Sequence, residues 1–138
     1  MGKVLKEVSL PPLDKNTIEE AFKSFIGDIE QIPPMFSALR YKGKRLYQFA
    51  RLGIEVPRKP RRVFIHELKL IDFKDQKIKF YIRCSTGTYI RKLAMDIAEK
   101  LNCVGCISQI TRLSVGPYKV QDAVDLDRID ENCILPCV

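Results

Sequence analysis

No apolar run in this sequence approaches the roughly 20 residues that a membrane-spanning helix needs. The opening Met1-Gly-Lys-Val-Leu-Lys-Glu7 lacks the uninterrupted apolar stretch of a signal peptide. There is no Walker loop, no dinucleotide fingerprint and no His-Glu-x-x-His pair, so the sequence offers no motif-based case for a P-loop hydrolase, a Rossmann-type dehydrogenase or a zincin. Histidine occurs once, as His66, inside a strand-like run with no Ser or Cys in an evident relay, and it reads as a structural side chain rather than a catalytic base. Cysteine is present in an odd number, five, which argues against a complete disulfide framework and makes reduced thiols the default. These absences together lead to the expectation of a soluble cytoplasmic protein.

What is present is a chain of 138 residues that is 46% hydrophobic, the size of one globular domain with a buried core. The formal charge of +7 is unevenly placed. Residues 40–62 hold nine of the 24 basic side chains (Arg40, Lys42, Lys44, Arg45, Arg51, Arg58, Lys59, Arg61 and Arg62) and only one of the 17 acidic ones, Glu55. The strip thus carries +8 on an otherwise nearly neutral chain. Such a block reads either as a solvated face or as a polyanion-binding surface, with nucleic acid the leading partner. Phe36, Tyr41, Tyr47 and Phe49 lie within or beside it and offer rings on which bases could stack, although some of them must serve the core.

Periodicity sketches the rest. Ile18, Ala21, Phe22, Phe25 and Ile26 predict a helix over 17–26, capped by Asn16 or Thr17 and stopped by Gly27. Pro33-Pro34 predicts an extended segment, Lys42-Gly43-Lys44 a turn, and residues 44–52 a short helix that buries Leu46, Phe49 and Ala50 and ends at Gly53. Residues 63–73 and 77–84 predict a strand pair joined at 74–76, with Ile78, Phe80, Ile82 and Cys84 facing the core. Ile90, Leu93, Ala94, Ile97, Ala98 and Leu101 mark a helix, and a strand over 107–115 and a short acidic helix over 122–130 complete the outline. The fold class is α+β, a mixed, mainly antiparallel sheet with flanking helices.

The turn Cys84-Ser-Thr-Gly-Thr-Tyr-Ile-Arg91 gathers hydroxyls, a glycine and the free N–H groups of a helix start, a combination suited to an anion. Arg91 in the first helical turn opposes the macrodipole, which points either to an acidic partner or to a head group that simply reaches solvent. Tyr89 is either a core-edge residue or the lining of a pocket. Asp96, among apolar neighbours, is better explained by pairing with a nearby cation than as a catalytic carboxylate. Cys103-x-x-Cys106 and Cys133-x-x-x-Cys137 supply four thiolates, but neither pair is framed like a zinc knuckle, and no metal site is assigned.

Two long motifs resemble the bacterial TruB family of tRNA pseudouridine synthases. One is Gln31-Ile-Pro-Pro-Met-Phe-Ser-Ala-Leu-Arg-Tyr-Lys-Gly-Lys-Arg-Leu-Tyr-Gln-Phe-Ala-Arg51, followed by Gly53-Ile-Glu-Val56 and Arg58-Lys-Pro-Arg61. The other is Cys84-Ser-Thr-Gly-Thr-Tyr-Ile-Arg-Lys-Leu-Ala-Met-Asp-Ile-Ala98, continued by Leu101-Asn-Cys103 and Thr111-Arg-Leu-Ser-Val-Gly-Pro117. The resemblance implies part of the pseudouridine synthase catalytic fold and conversion of the T-loop uridine 55 of tRNA to pseudouridine, without cofactor or metal. In such enzymes the base is flipped into a pocket and an aspartate acts as nucleophile. By the same resemblance, Arg91 matches the arginine that pairs with that aspartate. Tyr89 matches a tyrosine on the flipped nucleotide, and Ile110 stands where a leucine packs on the base. The family aspartate belongs to a Gly-x-Leu-Asp-Pro motif, and no such motif occurs here.

The expectation is therefore that residues 1–138 form the C-terminal portion of the catalytic domain, without the nucleophile-bearing half and without a C-terminal PUA domain. Such a fragment would be inactive alone and would self-associate through its truncated sheet. The alternative is a non-catalytic RNA-binding module that uses the basic surface at 40–62.

Overall fold

Asp14 starts the first helix. Its carboxylate, on extended backbone, accepts hydrogen bonds from the Thr17 N–H (2.7 Å) and the Thr17 hydroxyl (2.8 Å), which satisfies donors that a helix start leaves open. Helix α1 accordingly spans Lys15–Lys23 and begins before the predicted position, with Asp14 rather than Asn16 or Thr17 as cap. It also ends early: the Ser24 hydroxyl donates back to the Ala21 carbonyl (2.7 Å), and Phe25 and Ile26 fall outside the helix. In the computed structural model residues 6–133 are described, and the chain divides into two units, Met1–Ile107 and Ser108–Val138.

Gly27, at φ +98°, opens a strand instead of closing a helix. This strand, β1 (Gly27–Gln31), is absent from the sequence outline because Asp28 and Glu30 leave it a single large apolar residue, Ile29. Arg40–Tyr41 and Lys44–Arg45 form the two-residue strands β2 and β3 of a small hairpin, and α2 (Leu46–Arg51) follows directly. The long β4 (Arg61–Lys74) turns through Asp75 and Gln76, both at positive φ, into β5 (Lys77–Cys84). Helix α3 spans Ile90–Lys100.

The main sheet has the order β1-β4-β5, and every described pairing is antiparallel. Register shifts between Ile65 and Glu67 and between Leu70 and Asp72 mark irregularities in β4. His66 falls at the first of them, exposed, with its ring 4.8 Å from that of Phe64, so it is a surface residue and not the internally satisfied histidine that the strand-like run suggests.

The core is made by Ile18, Ala21 and Phe22 of α1, Ile65 and Leu68 of β4, and Leu93, Ile97 and Leu101 on the stripe of α3. Ile78, Phe80, Ile82 and Cys84 of β5 pack against it, and Phe22 meets Phe80 edge to face at 5.8 Å. Burial of each large apolar side chain contributes about 1.5–3 kcal/mol, so this cluster is the main stabilising term of the first unit.

The second unit is built differently. Ser114–Val115 (β6) and Tyr118–Lys119 (β7) pair around Gly116-Pro117, and 3-10 turns follow at Val120–Asp122, Leu126–Arg128 and Glu131–Cys133. The predicted strand over 107–115 thus contracts to its last two residues, and the predicted helix over 122–130 is replaced by turns. Short acidic side chains compete with helical hydrogen bonding here, as where Asp130 accepts from the Asn132 N–H at 2.9 Å. No helix among the described residues is long and apolar enough to cross a membrane.

Candidate functional site

Strand β5 delivers the chain to a tight turn that aims the start of α3. Ser85 extends the ladder, its N–H donating to the Phe64 carbonyl (2.8 Å) while its hydroxyl accepts from the Phe64 N–H (2.9 Å). The Thr88 hydroxyl donates to the Ser85 carbonyl (2.8 Å), and Gly87, at φ +79°, supplies the left-handed step that the turn requires. Tyr89 is the N-cap of α3 and half-buried; its side chain makes no capping bond.

Its backbone is held from elsewhere. The Tyr89 N–H donates to Gln31 Oε1 (2.9 Å), and Gln31 Nε2 donates to the Tyr89 carbonyl (3.3 Å). Arg91, exposed in the first turn of α3, donates through Nη2 to the Phe36 carbonyl (2.8 Å). Among the described residues no carboxylate pairs with it, so the rest of its planar fork is open to an acceptor. Tyr89, Arg91, Gln31 and Phe36 are thereby brought together from segments more than 50 residues apart. Ile110 lies in the second unit and is 61% exposed.

The cationic strip is mostly open. Arg40, Lys42, Lys44, Arg45, Arg51, Lys59, Arg61 and Arg62 are exposed, and none forms an ion pair among the described residues. Arg40 lies directly across from Arg45 in the β2–β3 ladder, and Lys42 sits in the connecting turn at φ +47°, a conformation that favours Asn or Gly. Like charges in register are unfavourable, a cost that a bound polyanion would relieve. Arg58 differs: its side chain is only 19% exposed, and its guanidinium donates to the Pro33 carbonyl (3.0 Å) and pairs with Glu55. The rings of the strip are partly engaged by its own cations, Lys42 over Tyr41 at 5.6 Å and Arg51 over Tyr47 at 5.3 Å, while Phe36 is 57% exposed.

Other candidates recede. Asp96 pairs with Lys92 one turn earlier on α3. Cys103 packs against the core, donates to the Ala98 carbonyl (3.3 Å), and burial pushes its thiol pKa up, the reverse of a reactive thiolate. Cys137 lies outside the described residues, among which no group of three or more His, Cys, Asp or Glu converges.

Gln31 is the site residue that sequence reasoning missed. The signal was present: Gly27, Ile29 and Gln31 share the inward side of β1, and an amide at a core-facing position requires hydrogen-bond partners.

Residues 1–90 match the family model described as TruB family pseudouridylate synthase (N terminal domain), a match that ends just before Arg91. The protein named tRNA pseudouridine synthase B of Hydrogenovibrio crunogenus is 42% identical over 131 residues, 95% of this chain and 43% of that protein. The protein of the same name from Clostridium kluyveri is 43% identical over 123 residues, 89% of this chain and 43% of its own length. The chain thus spans less than half of these relatives. One chain of a crystal structure titled "Crystal Structure of a Cbf5-Nop10-Gar1 Complex" superposes with a TM-score of 0.68 at 23% identity, covering 86% of this chain and 31% of that one, which establishes a shared fold. With the family model covering 90 of its 138 residues and relatives more than 40% identical over most of its length, the chain belongs to the TruB family of pseudouridylate synthases.

Proposed function

We propose that this chain serves in converting uridine 55 of the tRNA T-loop to pseudouridine, and that the 138-residue chain alone does not turn over. The observation that carries this reading is the fixed Tyr89–Arg91 pair at the head of α3, in a family member whose strip holds eight exposed cations with no ion-pair partner among the described residues. Arg40, Lys42, Lys44, Arg45, Arg51, Lys59, Arg61 and Arg62 neutralise phosphates and hold the T-arm, while Arg58 steadies the loop beneath them. The target base leaves its stack, and Tyr89 offers it an aromatic surface. Arg91 orients a carboxylate nucleophile through its open donors.

The reaction detaches uracil from the ribose and rejoins it through carbon. It is redox-neutral and conserves every atom of the nucleotide, so the chemistry calls for a nucleophile and proton transfers rather than a redox cofactor. No Gly-x-Leu-Asp-Pro motif occurs in the 138 residues, which supports a nucleophile supplied from outside this sequence, with these residues as the C-terminal portion of the catalytic domain. The chain works in the cytoplasm, where its tRNA substrate is processed, and self-associates through an outer edge of the β1-β4-β5 sheet that no described strand pairs, which sedimentation at rising concentration would register.

Release of tritium from unmodified tRNA labelled at uridine C5 tests the proposal. The chain is expected to bind this RNA with strong salt dependence and release no tritium, and to support release once a polypeptide bearing the Gly-x-Leu-Asp-Pro segment is added. Robust release by the chain alone would refute its inactivity. Binding that never leads to release, even with the added segment, would favour the second reading, a non-catalytic RNA-binding module, which the open cations also support.

A further inference from the structure

Gln31 is 1% exposed, and it makes its contacts in the manner of a strand. Its amide oxygen accepts from the Tyr89 N–H and its amide nitrogen donates to the Tyr89 carbonyl, which also accepts from the Leu93 N–H (3.0 Å), so one side chain grips both backbone polar groups of one distant residue and is the partner of its N–H. Tyr89 has extended backbone (φ −92°, ψ 99°) immediately before α3 and has no side-chain cap of its own. The Gln31 amide therefore supplies the tie that defines where α3 begins. Past Gln31 the chain runs through buried Pro33, whose carbonyl is gripped by Arg58, to Phe36, whose carbonyl accepts from Arg91. The segment from Gln31 to Phe36 is thus a bracket fastened at Tyr89, Arg58 and Arg91.

We infer that Gln31 is a positioning residue for the nucleotide site, setting the direction of the Tyr89 ring and, through the first turn of α3, of the Arg91 fork. This role rests on the proposal that Tyr89 meets the target nucleotide and Arg91 the carboxylate of the nucleophile. It depends on the full amide. A methionine fills the same volume but leaves the Tyr89 N–H without a partner and its carbonyl with the Leu93 N–H alone, and a glutamate keeps the acceptor for the N–H but loses the second donor to the carbonyl.

The test compares T-arm stem-loop RNAs carrying either a uridine or an abasic site at the target position, bound to the whole chain. The wild-type chain is expected to prefer the uridine RNA by about tenfold, the scale of one base–aromatic contact. Gln31→Met should abolish the preference while the salt dependence of binding, set by the cationic strip, stays the same. Gln31→Glu should retain part of the preference, and it remains informative if the methionine variant fails to fold. An unchanged salt slope with a lost preference separates positioning from general unfolding, which would weaken both. If the wild type prefers uridine and Gln31→Met and Gln31→Glu prefer it equally, the positioning role is overturned while the functional reading stands. If the wild type itself shows no preference, the reading of Tyr89 as a base contact fails and the role of Gln31 fails with it.

Discussion

Helix α3 and its C-cap bury Leu93, Ile97, Ala98 and Leu101, whereas the whole stretch from Arg40 to Arg62 buries only Leu46 and Val56. The first region is held by apolar packing between α1, β4 and α3. The second is held by a few directed bonds: the Leu46 N–H to the Leu39 carbonyl (2.7 Å), the Tyr47 N–H to the Ser37 carbonyl (3.2 Å), the Arg45 N–H to the Gln48 side chain (2.9 Å) and the Arg58 clasp. One region lowers the free energy of the chain by leaving water. The other keeps eight cations in water at the cost of mutual repulsion, which fits a surface completed by something anionic.

The sharpest way to break this contrast is to truncate one leucine in each region. Leu93, fully buried, should cost about 3 kcal/mol as Leu93→Ala, through lost transfer energy and the cavity left behind. Leu52, 74% exposed at the end of α2, should cost less than about 0.5 kcal/mol as Leu52→Ala. Urea unfolding of the two variants measures both, and equal losses would show that the strip is a packed element after all.

The same contrast explains which features the sequence made readable. The α3 stripe and the strict alternation of 77–84 announce themselves because one face of each is apolar, and both stand where the periodicity puts them. Strand β1 carries too little apolar contrast, and its pairing with β4 is a long-range fact that no local pattern contains. The cap of α1 went to Asp14 because a carboxylate reaching both donors of Thr17 outcompetes Asn16. Beyond Ile107 the apolar residues look strand-like, yet Ser108–Asn132 bury none of them, and only a two-residue ladder forms. At the site, the basic strip, Tyr89 and Arg91 were legible as residue types, while the Gln31–Tyr89 and Arg91–Phe36 contacts exist only once β1 has met β4.

A second measurement isolates the charge side of the comparison. Replacing Arg40, Lys42, Lys44 and Arg45 together by glutamine should weaken tRNA binding by tenfold to about a hundredfold at moderate salt, and flatten the log–log salt dependence by roughly 0.7–0.9 for each phosphate no longer neutralised. Thermal stability should hold or rise slightly, because the Arg40–Arg45 juxtaposition disappears. A matching fall in affinity and in melting temperature would mean that these side chains build the fold rather than the RNA surface.

The smallest expected effect lies at the edge of the packed body, where the Asp14 carboxylate caps α1. The hydrogen bonds from the Thr17 N–H and hydroxyl hold its pKa below the ordinary 3.8. A carboxylate whose folded pKa is depressed adds stability that is fully present above the unfolded value and is lost as the pH falls through the folded one. Asp14→Asn keeps a neutral cap whose strength does not titrate, and it lacks the carboxylate's attraction to the helix N-terminus. The melting temperature of the wild type should therefore exceed that of the variant slightly near neutral pH, and the gap should close below about pH 4 as the carboxylate takes up its proton. Parallel pH profiles would show that Asp14 acts through hydrogen-bond geometry alone, leaving the packed body, like its apolar core, indifferent to charge.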